Sequence, residues 1–74
     1  MAEFCNVCAA KMGFEPDFDI HKEFDKTSIG FYHTVLCEGC SLCAIGNLDG
    51  KLMLAPITGG AWETEEQYYE KRGV

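Results

Sequence analysis

Four of the five cysteines fall into two Cys-x-x-Cys pairs, Cys5-Asn6-Val7-Cys8 and Cys37-Glu38-Gly39-Cys40, with 28 residues between them. A pair this tight lets one turn aim two sulfurs at one point. Two such pairs make a tetrahedral four-thiolate site, which suits zinc or a single iron. The predicted metal ligands are Cys5, Cys8, Cys37 and Cys40. The spacer exceeds the roughly 15–20 residues of the commonest double-pair zinc pattern. Four reduced core cysteines would not need paired spacing. A redox-active pair is a third reading, but it usually opens a helix in a βαβ unit, and the sequence shows no such unit.

Cys43 is the odd member. The run Cys37-x2-Cys40-x2-Cys43 hints at an iron–sulfur cluster, yet position 47, where a ferredoxin-type run would continue, is Asn. Cys43 therefore reads as a packed free thiol on a strand, because free cysteine behaves as a small hydrophobe. Exchange with Cys40 as fourth ligand stays open. His21 and His33 could ligate metal, but four sulfurs already close a site, so packing or surface roles are expected of them. Asp17-x-Asp19-x-His21 faintly resembles a calcium loop. Lys22 stands where glycine is needed and Ser28 where glutamate is needed, which rejects it. No Ser/His/Asp set, phosphate loop or paired-carboxylate cleft is visible, and a closed four-thiolate site leaves no position to activate water. The expectation is a non-enzyme.

The chain of 74 residues allows one hydrophobic core, and one this small often needs a staple. Metal can be that staple, since structural zinc contributes roughly 10–16 kcal/mol of apparent binding free energy. Disulfides are the competing use of cysteine. Their number here is odd, and residues 1–20 carry charges and no apolar signal core. A reducing, cytoplasmic setting is expected, with no membrane span. Twelve acidic against six basic residues give a formal charge of −6. Four thiolates around one divalent cation would add about two further negative charges. That balance repels phosphate backbones, and the six cations are scattered, so nucleic-acid binding is disfavoured. A protein partner with a basic surface fits better. Nothing in the sequence fixes the oligomeric state.

The elements that must position the sulfurs follow from local chemistry. Residues 4–13 read as the first metal knuckle, with Ala9 and Ala10 small enough for backbone N–H groups to approach sulfur. Ile20 and Phe24 form an i,i+4 pair, and Asp17 or Asp19 could cap a short helix over about 18–26. Residues 31–37 are rich in aromatic and β-branched types and predict a strand running into the second knuckle. Asp49-Gly50 favours a type I′ turn, so Leu42–Gly46 and Lys51–Ala55 should pair as a hairpin. Pro56–Gly60 reads as a connector. Thr64-x-x-Gln67 is a capping box for a helix over 65–72, with Lys71 and Arg72 in its last turn and Gly73 just after. So short a helix must dock through Trp62, Tyr68 or Tyr69, or form on a partner. Residues 1–58 then make the metal domain and 59–74 a Gly-Gly connector with the helix.

Two surfaces are candidates for a partner. The stretch 15–25 holds five carboxylates, of which Asp17, Asp19 and Glu23 are singled out, although a merely solvated face would look the same. Trp62, with Tyr68 and Tyr69, could anchor an interface or cap the small core.

The two knuckles and the hairpin context resemble small zinc-ribbon and rubredoxin-like proteins. The rubredoxin side of that resemblance implies electron transfer through one iron. Rubredoxin knuckles are usually Cys-Pro-x-Cys-Gly, whereas here Ala9 and Ser41 follow the pairs and Glu38 stands in the proline position. These departures favour Zn2+ over iron. The expected fold is a small α+β, zinc-ribbon-like domain with a short antiparallel sheet, two knuckles and a short C-terminal helix. The expected role is a non-enzymatic protein-interaction or regulatory adaptor with structural zinc. An iron electron carrier and a nucleic-acid-binding ribbon are the alternatives.

Overall fold

The structure is a computed structural model that describes residues 3–57 and 59–73. Seven elements follow one another: α1 (Asn6–Met12), α2 (Ile20–Asp25), β1 (Tyr32–Thr34), β2 (Leu42–Leu48), β3 (Lys51–Pro56), β4 (Glu63–Thr64) and α3 (Glu65–Arg72). The four strands form one antiparallel meander in chain order. This is the small α+β, zinc-ribbon-like architecture the sequence predicts.

The β2–β3 hairpin forms where the turn chemistry demands it. Asp49 and Gly50 carry φ of 56° and 81°, the two successive positive values a type I′ turn requires. Both strands run farther than expected, to Leu48 and Pro56, so the loop is only two residues. Pro56 thus belongs to β3, and of the expected connector Thr58 lies outside the described residues. Asn47 braces the turn: its Oδ1 accepts the Gly50 N–H at 3.0 Å and its Nδ2 donates to the Thr27 carbonyl at 2.7 Å. Those bonds satisfy a side chain that is otherwise buried.

Register divides the sheet into two faces. His33, Ile45, Leu54 and Glu63 lie opposite one another across the four strands and share the inner face. Ile45 and Leu54 are fully buried there with Ile20 of α2, Leu42 and the tyrosines of α3. On the outer face Trp62 lies flat over Gly46, where an added Cβ would stand 3.0 Å from two indole carbons. Trp62 also meets Tyr32 at 6.1 Å between ring centres. It covers the outer face and takes no part in the inner core.

The predicted helix over 18–26 shortens to α2, capped by Asp19, whose Oδ1 accepts from the N–H groups of His21 and Lys22. The predicted strand 31–37 shortens to β1, because the chain leaves the ladder to enter the second knuckle. The capping box of α3 is complete in both directions at 3.3 Å, and Gly73 closes the helix with φ of 68°. The first knuckle was expected as a turn and is instead a helix. Ala9, Ala10, Lys11 and Met12 are strong helix formers, and Gly13 ends α1 with φ of 83°.

Candidate metal centre

The first pair straddles the start of α1. Cys5 is the N-cap, in extended conformation, and its carbonyl accepts the first helical bond from the Ala9 N–H at 2.9 Å. Cys8 is then one helical turn on, so both sulfurs project from the same end. Asn6 and Asp17 fix that end to the chain ahead of α2. Asn6 Oδ1 accepts the Ile20 N–H at 3.0 Å, and Asp17 Oδ2 accepts the Phe4 N–H at 2.7 Å. The sequence reading denied this pair a helix start, and the structure supplies one. The antiparallel sheet still contains no βαβ unit.

The second pair hangs between β1 and β2. The Cys37 N–H donates to the Leu42 carbonyl at 3.0 Å, which closes the knuckle. Gly39 lets the knuckle press against the first pair, because an added Cβ would lie 2.9 Å from both Cβ and Sγ of Cys8. Ser41 completes the turn with φ of 62°. The same turn makes the β2–β3 register slip between Leu42 and Ala44, so Cys43 stands at a bulge.

These elements bring Cys5, Cys8, Cys37 and Cys40 together, with all four sulfurs within 4.8 Å of one another. A tetrahedral zinc–thiolate site has sulfurs about 3.8 Å apart, given bonds of about 2.3 Å. The Cys5 and Cys40 sulfurs are 3.9 Å apart, so the donor set fits a four-coordinate thiophilic metal. All four side chains are within the hydrophobic core, none more than 4% exposed. Cys43 is outside the cluster and only partly buried.

Two hydrogen bonds reach the sulfurs and a third reaches the backbone of the second knuckle. The Cys5 N–H points at Cys37 Sγ at 3.3 Å, and Tyr69 Oη lies 3.2 Å from Cys5 Sγ. Tyr68 Oη donates to the Cys40 carbonyl at 2.8 Å. In the metal-free cluster, hydrogen bonding from Cys40 lowers Cys5 to about 4, against burial and with help from Tyr69. Burial pushes Cys8 up to about 12. Cys40 is raised, first through its bond to the Cys5 sulfur and then by burial. Cys5 thus carries the charge while Cys8 and Cys40 keep their protons. Burial also raises both tyrosines, so each hydroxyl remains a donor.

Cations flank the cluster. A cavity of about 430 Å³ beside Cys8 is lined by Lys11, Met12, Gly39 and Arg72. Lys11 Nζ donates to the Gly73 carbonyl at 2.7 Å, tying α1 to the end of α3. The Arg72 guanidinium lies 3.6 Å over the Tyr68 ring and 3.9 Å from Glu63, which also meets Lys71 at 3.5 Å. Glu63 was not singled out by the sequence reading. Its pairing with Lys71 and Arg72 appears only once β4 and α3 fold back on each other.

The candidate partner residues do not gather into one surface. Asp17 and Asp19 are committed to backbone N–H groups. Glu23 pairs with Lys26 at 3.9 Å. Tyr68 and Tyr69 are buried, 0% and 6% exposed, because α3 turns that face onto the sulfurs and not toward solvent. Tyr68 and Tyr69 thereby pack into the same core cluster as the four cysteines. Trp62 lies on the far side of the sheet. His21 meets Glu65 at 3.3 Å on the surface, and His33 Nδ1 bonds the Thr27 hydroxyl, so neither approaches the cluster.

Among the described residues no helix is long and apolar enough to cross a membrane. Compared with protein-family models, curated proteins and solved structures, the chain finds no match in any of the three.

Proposed function

We propose that this is a non-enzymatic cytoplasmic protein whose four cysteines hold one structural zinc ion, and which acts as a protein-interaction or regulatory adaptor. The observation that carries the reading is the four sulfurs, buried in the hydrophobic core cluster and within 4.8 Å of one another. A metal there ties α1, the second knuckle and α3 together, and its binding free energy acts as folding free energy. The closed four-thiolate set suits either metal, and zinc is favoured over iron by knuckles that lack the rubredoxin residues. A closed site also leaves no position for substrate. The adaptor role rests on charge and exposure. A chain at −6 suits a protein partner with a basic surface and not a phosphate backbone.

Elemental analysis of protein purified from cells tests the metal. The expected result is one zinc per chain, with Cys37→Ser losing both metal and cooperative folding. Folded protein without stoichiometric metal sinks the reading. A coloured protein that reduces reversibly replaces zinc with the iron electron carrier.

A further inference from the structure

We propose that the cleft between α1, the turn end of β3 and the start of α3 docks a basic segment of a partner protein. The segment lays one large apolar side chain on the floor and sets lysine or arginine against the rim. The site rests on the adaptor reading above and gives it a place on the molecule. The cleft has a volume of about 630 Å³ and is lined by Val7, Leu52, Thr64, Glu65, Glu66 and Tyr69. Binding clefts have this size and this make-up, an apolar floor with a few polar groups at set places.

The floor has apolar surface left to bury. Val7 and Leu52 pack against the core cluster yet are only half-buried. A partner side chain can take the rest of that surface out of water, which is the main gain at such a contact. Val7 and Tyr69 are both set by the first cysteine pair. Val7 lies between Cys5 and Cys8 in the chain, and the Tyr69 hydroxyl is 3.2 Å from the Cys5 sulfur. A metal on those sulfurs therefore holds the floor in shape.

The rim carries one sign of charge. Glu65 and Glu66 line the cleft, and no lysine or arginine does. Glu65 meets His21 at 3.3 Å, whereas Glu66 is exposed and makes no ion pair among the described residues. Lys51 precedes Leu52 in the chain, but strand alternation turns it to the outer face. The first turn of α3 accepts both carboxylates without loss, because a helix N-terminus favours negative charge. The chain around them carries −6, a field that draws in a cationic segment and repels an acidic one or a phosphate backbone. An apolar anchor flanked by cations answers floor and rim together.

Amide shifts of the isotope-labelled, metal-loaded protein, titrated with acetyl-Lys-Lys-Phe-Lys-Lys-amide to about 5 mM, test this. The expected result is saturable shifts at Val7, Leu52, Glu65, Glu66 and Tyr69, with binding several-fold weaker at high salt. Serine in place of the peptide's phenylalanine should weaken binding about ten-fold. The acidic counterpart, acetyl-Glu-Glu-Phe-Glu-Glu-amide, should not bind. Glu66→Lys should weaken binding about five-fold or more. Glu15→Lys makes the same charge change in the exposed stretch 15–25 and should stay within about two-fold. Leu52→Ser, which empties part of the floor, should weaken binding about ten-fold. Glu66→Lys carries the test if Leu52→Ser fails to fold. Metal content is measured first: a folded protein without metal fails the functional reading on its own. Metal-loaded protein with no saturable shift at the cleft overturns the docking site alone. Shifts centred on 15–25, equal binding of the acidic peptide, or equal losses in Glu66→Lys and Glu15→Lys also overturn it.

Discussion

The Tyr69 hydroxyl stands 3.2 Å from the Cys5 sulfur, although 64 positions separate the two residues in the chain. The hydroxyl comes from the last helix and the sulfur from the cap of the first. Burial keeps the phenol protonated, so it donates to a sulfur that carries charge. Such outer-shell donors orient metal ligands, and losing one typically costs about 10–100-fold in metal affinity. Tyr69→Phe keeps the ring and removes only the donor. It should bind zinc about ten-fold more weakly in a chelator competition, with the fold retained. Unchanged affinity would show that Tyr69 serves packing alone. Tyr68→Phe is the contrasting case, because its hydroxyl reaches the Cys40 carbonyl and not a sulfur. It should cost about 1 kcal/mol of stability with little change in affinity.

Proton release follows from how the sulfurs share charge. Cys5 lies near 4 in the metal-free fold, well below its ordinary value of 9.0, while Cys8 is near 12 and Cys40 is also raised. Metal ligation needs thiolates. Cys8 and Cys40 therefore give up their protons on binding, so uptake at pH 7 should release about two protons or more, and affinity should rise with pH. The stabilising contribution of Cys5 to the metal-free fold has the sign of a depressed group. It is complete above pH 9 and is lost as the pH falls through about 4. Acid thus works against both the metal and the bare fold. Calorimetric zinc titrations in buffers of different ionisation enthalpy count the protons, and binding without release at pH 7 contradicts this charge distribution.

Gly39 is where the two knuckles touch. A Cβ there would stand 2.9 Å from Cys8 Cβ and Sγ and 3.2 Å from a Phe4 ring carbon. Cys8 is fixed in α1 and cannot retreat without moving its sulfur. Gly39→Ala should destabilise the metal-loaded protein by about 1–3 kcal/mol and weaken metal binding. Glu38→Ala, one residue earlier and exposed, should stay within about 0.5 kcal/mol of the parent. Denaturant unfolding of the two variants makes the comparison. Equal stability would mean that the knuckles have room to separate.

What could be read from the sequence was what local chemistry decides. Asp49-Gly50 fixes the hairpin and Thr64 with Gln67 fixes the start of α3, because each set acts within a few residues. The four sulfurs were legible from spacing alone. α1 was not, because its cap, Cys5, makes no side-chain capping bond and looks like a ligand only. β4 was not, because two residues become a strand only by pairing with Met53 and Leu54. The bond made by Asp17 was hidden for a related reason. Asp17 reads as surface charge until the chain brings the Phe4 N–H to it from 13 positions away. Tyr68 and Tyr69 could be expected to dock, but nothing near them in sequence says that they dock on the sulfurs.

Ser41 follows the second pair where rubredoxin-like knuckles carry glycine, and it still adopts the backbone that glycine favours, with φ of 62°. A left-handed conformation costs an L-residue roughly 1–2 kcal/mol. The turn holds it there because its carbonyl accepts the Ile57 N–H at 2.8 Å and the neighbouring Cys37–Leu42 bond closes the knuckle. The side chain is exposed, so replacing it removes little packing. Ser41→Gly relieves the strain but adds freedom to the unfolded chain, which takes back roughly 0.5–1 kcal/mol. The net expectation is a gain of about 0.5–1 kcal/mol in the metal-loaded protein, read from denaturant unfolding. Asp49 has a similar φ of 56°, but it occupies a type I′ turn position where Asp is among the favoured residues. Asp49→Gly should therefore gain less than Ser41→Gly. A loss of stability in Ser41→Gly, or a larger gain in Asp49→Gly, would show that the second knuckle is not strained at Ser41.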